Sequence, residues 1–280
     1  MWNEAQLDEA LSTPSAALIA DMAKLDGDIM ILGAGGKVGP TLSVMAKRAV
    51  EASGVDRKVI AVSRFTDPFV VALMEKEHVE CISCDLTKPE QIAQLPKVKN
   101  IIYMAGRKFG TNGAECETWE MNVAVPAYVT QHFGDARYVV FSTSNVYPFA
   151  TPKSGGNTED VTPSPIGEYA ISCLGRERIF EYAARHFGAK VVNFRLSYAI
   201  DLRYGILYDI CSWIMAGKPV AKINWNKAGK VAYCAAALLV LGAGMAMIMA
   251  FEGLMLQGIL VGVVGIVLCL GMIPVCKGLK

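Results

Sequence analysis

The glycine-rich run Gly33-Ala34-Gly35-Gly36-Lys37-Val38-Gly39 directly follows four apolar residues, Ile29-Met30-Ile31-Leu32, and leads into an amphipathic stretch from Thr41 to Ala52. Strand, tight turn and helix in that order form an anion cradle. The helix start offers unpaired N–H groups and partial positive charge, and glycines let a phosphate come close to the backbone. Gly33 suits the turn, Gly36 the approach of a pyrophosphate, and Gly39 the packing of helix on strand. Gly33, Gly35, Gly36, Lys37, Val38 and Gly39 are therefore the first candidates for holding a dinucleotide. At the end of the next apolar run, where an acid would take the ribose hydroxyls, stand Ser63 and Arg64, 24 and 25 residues after Gly39. A guanidinium pairs with a 2′-phosphate but cannot accept hydrogen bonds from two hydroxyls. With Lys37 close by, the expected cofactor is NADP(H), and NAD(H) is the alternative.

Other reactive residue types carry less. Cys81 and Cys84 have Cys-x-x-Cys spacing, but they lie in a strand-like run with no second pair and no histidine at ligand spacing. They read as structural thiols, and no metal site is expected. His78, His132 and His186 match no catalytic pattern.

The elements that must position these residues alternate along the chain. A helix from Ser12 or Thr13 to about Lys24 forms an N-terminal arm, started by Pro14. Strands are expected at 29–32, 59–62, 79–83, 100–104, 138–142 and 190–195. Helices are expected between them at 41–52, 68–76, 89–95, 116–133 and 168–186, with another at 206–216. Strands alternating with helices imply a parallel sheet covered on both faces, and right-handed crossovers make it doubly wound. The fold class is α/β, a Rossmann-like doubly wound sheet.

Composition adds a second part. Hydrophobic residues make up 53% of the 280 and charged residues 19%, against about 45–50% and about 25% in typical domains. The excess is concentrated: from Val231 to Cys276 there are 46 residues and one charge, Glu252. Segments 231–251 and 254–275 each reach the ~20 residues that cross a bilayer, with a turn at Glu252-Gly253. Lys222, Lys227 and Lys230 precede them, and Lys277 and Lys280 follow. A C-terminal transmembrane helical hairpin with both ends cytoplasmic is expected. Gly258, Gly262 and Gly265 form a small-residue face for packing within the hairpin or between chains, the latter giving a homo-oligomer. The domain reading is an arm (1–27), a dinucleotide-binding domain (28–222), a linker (223–230) and the membrane segment (231–276). A net charge of +1 gives no field for nucleic acid. The N-terminus lacks the basic and apolar regions of a secretion signal, so free thiols in a reducing cytoplasm are expected.

Further along the sheet, the residues resemble the extended short-chain dehydrogenases/reductases, the NAD(P)-dependent epimerase/dehydratase family, from about Asp28 to about Val220. Gly33, Gly36 and Gly39 match that family's Gly-x-x-Gly-x-x-Gly loop. By the same resemblance Asp85-Leu86 contacts the adenine, Met104-Ala105-Gly106 lies beside the cofactor, and Asn122 begins its Asn-Val pair. Phe141-Ser142-Thr143-Ser144-Asn145-Val146-Tyr147 is similar to its Ser/Thr strand end, which gives Ser142 to the cofactor and Thr143 to the substrate. Arg195-Leu196-Ser197-Tyr198 looks like the start of the substrate lobe, with Ser197 at the cofactor. The family's Tyr-x-x-x-Lys signature reads Tyr169-Ala170-Ile171-Ser172-Cys173 here. Tyr169 is then the proton-handling residue, and Cys173 replaces the lysine that would bind the nicotinamide ribose and make the tyrosine acidic. Arg176 lies on the same helix face, about two turns on. The resemblance implies an oxidoreductase, epimerase or dehydratase acting on a nucleotide sugar or polyol-type small molecule. Cys173 and the short substrate lobe leave a weak or inactive membrane-anchored dinucleotide-binding module as the alternative.

Overall fold

The computed structural model describes residues 3–151, 153–197, 199 and 204–218 of the chain. The chain divides into two compact units, Met1–Leu202 and Arg203–Lys280. The linker and the hairpin spans lie outside the described residues. Among the described residues no helix is long and apolar enough to cross a membrane.

The first unit opens with two short helices, α1 (Glu4–Ser12) and α2 (Ala16–Lys24). One helix starting at Ser12 or Thr13 was expected. Pro14 prevents this, since it disfavours helical geometry at the preceding Thr13, which is extended. The hydroxyls of Ser12 and Thr13 donate back to the carbonyls of Asp8 and Glu9, closing α1. The hydroxyl of Ser15 accepts from the Leu18 N–H and opens α2. The arm is held by charge as well as packing: Arg48 donates to Glu9 and to Glu77, each at 2.9 Å.

The alternation then runs β1 (Ile29–Leu32), α3 (Gly39–Ala52), β2 (Val59–Ser63), α4 (Pro68–Lys76), β3 (Glu80–Ser83), α5 (Pro89–Ile92) and β4 (Asn100–Tyr103). After β4 come α6 (Glu115–Trp119), a π-helical turn (Glu120–Ala124) and α7 (Val125–Phe133), then β5 (Arg137–Thr143), α8 (Glu168–His186) and β6 (Lys190–Leu196). All neighbours pair in parallel, in the order β3-β2-β1-β4-β5-β6. The order reverses between β1 and β4, which opens a crevice at their carboxyl ends.

Buried parallel strands pack both faces, so each reads as a continuous apolar run. Ile29, Ile31, Val59 and Ala61 face Ala46 and Val50 of α3 and Met74 of α4. Met30, Leu32, Ile101, Tyr103 and Tyr138 face the other layer, with Val129 of α7 and Phe180 of α8. Edge strand β6 leaves Val192 and Phe194 exposed.

The stretch expected as a single helix over 116–133 carries the π turn because of Pro126. A proline lacks an N–H and its ring collides with the carbonyl four residues back, that of Asn122. The ladder widens there, and the Val125 N–H reaches the Glu120 carbonyl instead. The widening turns Asn122 into the interior, where it is fully buried. In the second unit, α9 (Ile206–Met215) is an apolar helix that exposes Leu207, Ile214 and Met215.

Candidate functional site

The glycine turn is built from three different constraints. Gly33 has φ +91°, and a Cβ there would sit 2.6 Å from the Ala105 nitrogen. Gly39 starts α3 so close to the end of β1 that a Cβ would collide with the Ala34 carbonyl. Gly36 is different. A Cβ there would meet nothing nearer than the Gly33 carbonyl at 3.6 Å, an ordinary contact. The fold itself therefore leaves the space above Gly36 open. Val38 precedes the first turn of α3 with no side chain capping it, and Pro40 follows at the start. Lys37 is exposed on the same turn.

A cleft of about 270 Å³ opens at the carboxyl ends of β1, β2 and β4. Gly33, Gly35 and Gly36 form its floor, with Ser63 and Arg64 from the end of β2. Asp85 and Leu86 close one side, and Met104, Ala105 and Gly106 the other. Ten residues singled out from the sequence thus share one cavity. A Cβ on Gly35 would stand 2.6 Å from the Ser63 hydroxyl, so any larger residue there would displace the Ser63 side chain. Asp85 accepts from the backbone N–H and hydroxyl of Thr87, at 3.0 and 2.9 Å. The Thr87 N–H, with help from the Arg64 and Lys88 charges, holds its carboxyl below the usual carboxylate range. Phe65, Thr66, Asp67 and Met121 also line the cleft and were not singled out from the sequence. Phe65 takes a left-handed conformation with φ +47°, rare for an aromatic residue, and Asp67 caps α4 through the Phe69 N–H at 2.9 Å. The helix at 68–76 was expected, but nothing in the sequence signalled the position of Phe65.

A second group gathers where β5 meets α8. Tyr169, the second residue of α8, has Thr143 at the end of β5 and Cys173 one turn on as its electrostatic neighbours. Thr143 accepts from the Asn145 N–H at 3.2 Å, so its hydroxyl is held by the turn that follows β5. Cys173 is fully buried, and burial pushes its thiol up. The Tyr169 phenol is pushed up to about 12, first by burial and next by the neighbouring Cys173. At neutral pH this phenol keeps its proton. It can donate a proton at once but accepts one only rarely.

Three of the residues expected at the cofactor have other surroundings in the structure. Asn122 is fully buried and uses its amide on the protein: it accepts from the Arg107 N–H at 2.9 Å and donates to the Arg107 carbonyl at 3.0 Å and the Ser172 hydroxyl at 2.9 Å. It thereby holds the segment after β4 rather than opening onto the cleft. Ser142 points into the interior and donates to Glu177. Residues alternate faces along a strand, so Ser142 and Thr143 cannot both face the site. Ser197 is exposed beyond the end of β6 and is not among the cleft residues.

Beneath the site lies a polar network that the sequence did not reveal. Glu177, fully buried, takes two bonds from Arg195, at 3.0 and 2.8 Å. Arg195 donates on to the Tyr147 hydroxyl at 2.8 Å. The network joins β5, its following turn, α8 and β6. Among the described residues no group of three or more His, Cys, Asp or Glu is arranged to hold a metal ion, and the five cysteines there are free.

The pattern of the NAD dependent epimerase/dehydratase family matches residues 29–200 of the chain. No curated protein matches it. Among solved structures, the UDP-glucuronic acid 4-epimerase from Bacillus cereus in complex with NAD is similar, with a TM-score of 0.55 at 16% identity; the match covers 69% of this chain and 64% of that one. The Bordetella bronchiseptica enzyme WbmG in complex with NAD and UDP is similar with a TM-score of 0.54 at 19% identity, covering 69% and 61%. The UDP-glucose 4-epimerase from Thermotoga maritima with UDP-glucose has a TM-score of 0.55 at 16% identity, covering 69% and 64%. The likeness is one of fold, and the match spans less than two thirds of each of these chains.

Proposed function

The chain belongs to the NAD dependent epimerase/dehydratase family, and from that premise we propose that it is a dinucleotide-dependent epimerase or oxidoreductase acting on a nucleotide sugar. The observation that carries the reading is that Tyr169 and Thr143 are neighbours at the carboxyl end of the sheet, the same end as the glycine cleft. The cleft suits a dinucleotide: the open side of Gly36 leaves room for phosphate, and Gly35 is bare where Ser63 stands. Gly33, Gly35, Gly36 and the first turn of α3 would hold the pyrophosphate, Ser63 and Arg64 the adenosine ribose, and Asp85 and Leu86 the adenine. When bound, the nicotinamide supplies the capacity to accept a hydride and return it. The chain's own part is proton handling. Thr143 orients a substrate hydroxyl, and Tyr169, in the small fraction present as phenolate, takes its proton as the carbon–oxygen bond becomes a carbonyl. Tyr169 then gives the proton back to the oxygen when the carbonyl is reduced. The preference for NADP(H) rests on Arg64 and Lys37. Asp85, whose carboxyl feels the Arg64 charge, tempers it.

The apolar C-terminal stretch supports a two-span membrane anchor over 231–251 and 254–275, with the dinucleotide-binding unit and the C-terminus on the cytoplasmic side. The spans would also offer the surface for self-association.

The test is a titration of the purified full chain with NADP⁺ and NAD⁺, followed by incubation with a panel of UDP-hexoses and UDP-hexuronic acids read by NMR. Binding in the micromolar range and conversion of at least one sugar to its epimer or keto product is expected. Failure to bind either dinucleotide would overturn the reading.

A further inference from the structure

Arg176 is 6% exposed and sits on α8 two turns beyond Tyr169. Its guanidinium donates to the Phe141 carbonyl at 2.7 Å and to the Asn122 side-chain oxygen at 2.5 Å. It lies 5.8 Å from the centre of the Tyr103 ring. It also fills the space under Gly106: a Cβ there would collide with it. Its Nε has no partner, and among the described residues no carboxylate forms an ion pair with Arg176. The neighbouring Glu177 is already taken by Arg195.

A buried cation held only by neutral acceptors is costly, and it favours whatever nearby group can become an anion. Two such groups share its helix face. Asn122 bridges to one of them, since its amide nitrogen is 4.0 Å from the Cys173 sulfur while its oxygen takes the guanidinium. Cys173 in turn stands one helical turn from Tyr169 on the same face of α8. The other charges facing this pair are Lys108, which acts in the same direction as Arg176, and Glu177, which opposes it.

We propose that Arg176 is a positioning residue whose charge, fixed beneath Gly106 by Phe141 and Asn122, favours the anionic form of the Tyr169–Cys173 pair. This deepens the reading of Tyr169 as the proton-handling group and rests on it for its purpose. The electrostatic statement stands on the Arg176–Asn122–Cys173 contacts and on the one-turn spacing of Tyr169 and Cys173 along α8. Arg176 does not touch the reacting atoms. It acts through the pair.

The test uses the full chain with a fluorinated tyrosine at position 169, whose more acidic phenol brings the titration into an accessible pH range. Its ¹⁹F signal is followed against pH with Arg176 present and in Arg176→Gln. The midpoint is expected to rise by about one unit, a tenfold fall in the ionisation constant. Arg176→Lys should keep the midpoint close to that with arginine. If Arg176→Gln does not fold, Arg176→Met fills the same space without charge and is expected to give the same rise. A folded, charge-free variant with an unmoved midpoint would overturn the proposal, and so would an equal rise in Arg176→Lys, because the charge would then not be the cause. Dinucleotide titration of the same samples separates the two readings. Loss of binding in the parent chain sinks the enzyme assignment without touching the shift, and an absent shift with binding intact sinks the role of Arg176.

Discussion

Replacing Cys173 by Lys tests the chemistry of the site most directly. Tyr169 stands at about 12, roughly two units above a free tyrosine, so at pH 7 only about one molecule in 10⁵ holds a phenolate. Proton abstraction by wild type should therefore speed up about tenfold per pH unit across the neutral range and show no plateau below about pH 11. A lysine at 173 changes two things. It removes the thiol that pushes Tyr169 up, and it places a cation about 6 Å away, the spacing of residues four apart on a helix. At an effective dielectric of about 20 that charge is worth about 2.8 kcal/mol, or about two units. The alkaline limb should move to about pH 10, and turnover at pH 7 should rise about 100-fold. The position is fully buried and faces the Asn122 amide, so the larger side chain should also cost about 1–3 kcal/mol of stability. The assay is a pH–rate profile of dinucleotide reduction on a sugar nucleotide the wild type converts, with thermal unfolding measured alongside. A folded Cys173→Lys variant that binds dinucleotide yet keeps its limb where wild type has it would refute this electrostatic account.

Other outcomes follow from particular contacts. Arg64→Asp should reverse the preference between NADP(H) and NAD(H) in a binding titration; an unchanged ratio would show that Arg64 does not read the 2′-phosphate. Gly36→Ala should fold as wild type, because the protein leaves 3.6 Å there, yet lose at least about tenfold in dinucleotide affinity, or about 1.4 kcal/mol. Undiminished affinity would remove the phosphate from that turn. Arg195→Met strands the buried Glu177 carboxylate and should cost about 3–5 kcal/mol in denaturant unfolding, with the double change to Arg195→Met and Glu177→Leu recovering much of it; a loss under about 1 kcal/mol would show that the pair is not desolvated. The full chain should fractionate with membranes and a chain ending at Lys218 should not. Cytoplasmic-side labelling should reach Cys276 but not a cysteine placed at Glu252, and labelling of both would exclude the hairpin.

Much of the scaffold was written locally. β1 and β2 are buried on both faces, so each reads as an apolar run that cannot be placed at a surface. The glycine turn declares itself because backbone φ and close contacts act within a few residues of Gly33 and Gly39. The helix over 168–186 was legible for the same reason. Ten candidate cofactor residues consequently meet in one cleft, each at the carboxyl end of a strand whose position the apolar pattern revealed.

What tertiary structure alone decided concerns residues whose partners are far apart in the chain. Nothing near Ser142 says that Glu177 lies across from it, and nothing near Arg195 says that it closes on that same carboxylate, 18 residues away. The resemblance assigned Asn122 to the cofactor through its Asn-Val pair. Pro126 opens a π turn, and the packing of α8 against it gives that amide to Arg107, Ser172 and Arg176 instead. Helical periodicity placed Arg176 on the face of Tyr169, but whether its charge met water, a carboxylate or only neutral acceptors depended on Gly106 and Phe141 arriving from two other strands. Local sequence sets φ, capping and face because those forces act over about one turn of chain. The electrostatics of the site arise from burial and long-range pairing, which exist only once the sheet order β1-β4-β5-β6 has brought the strand ends together.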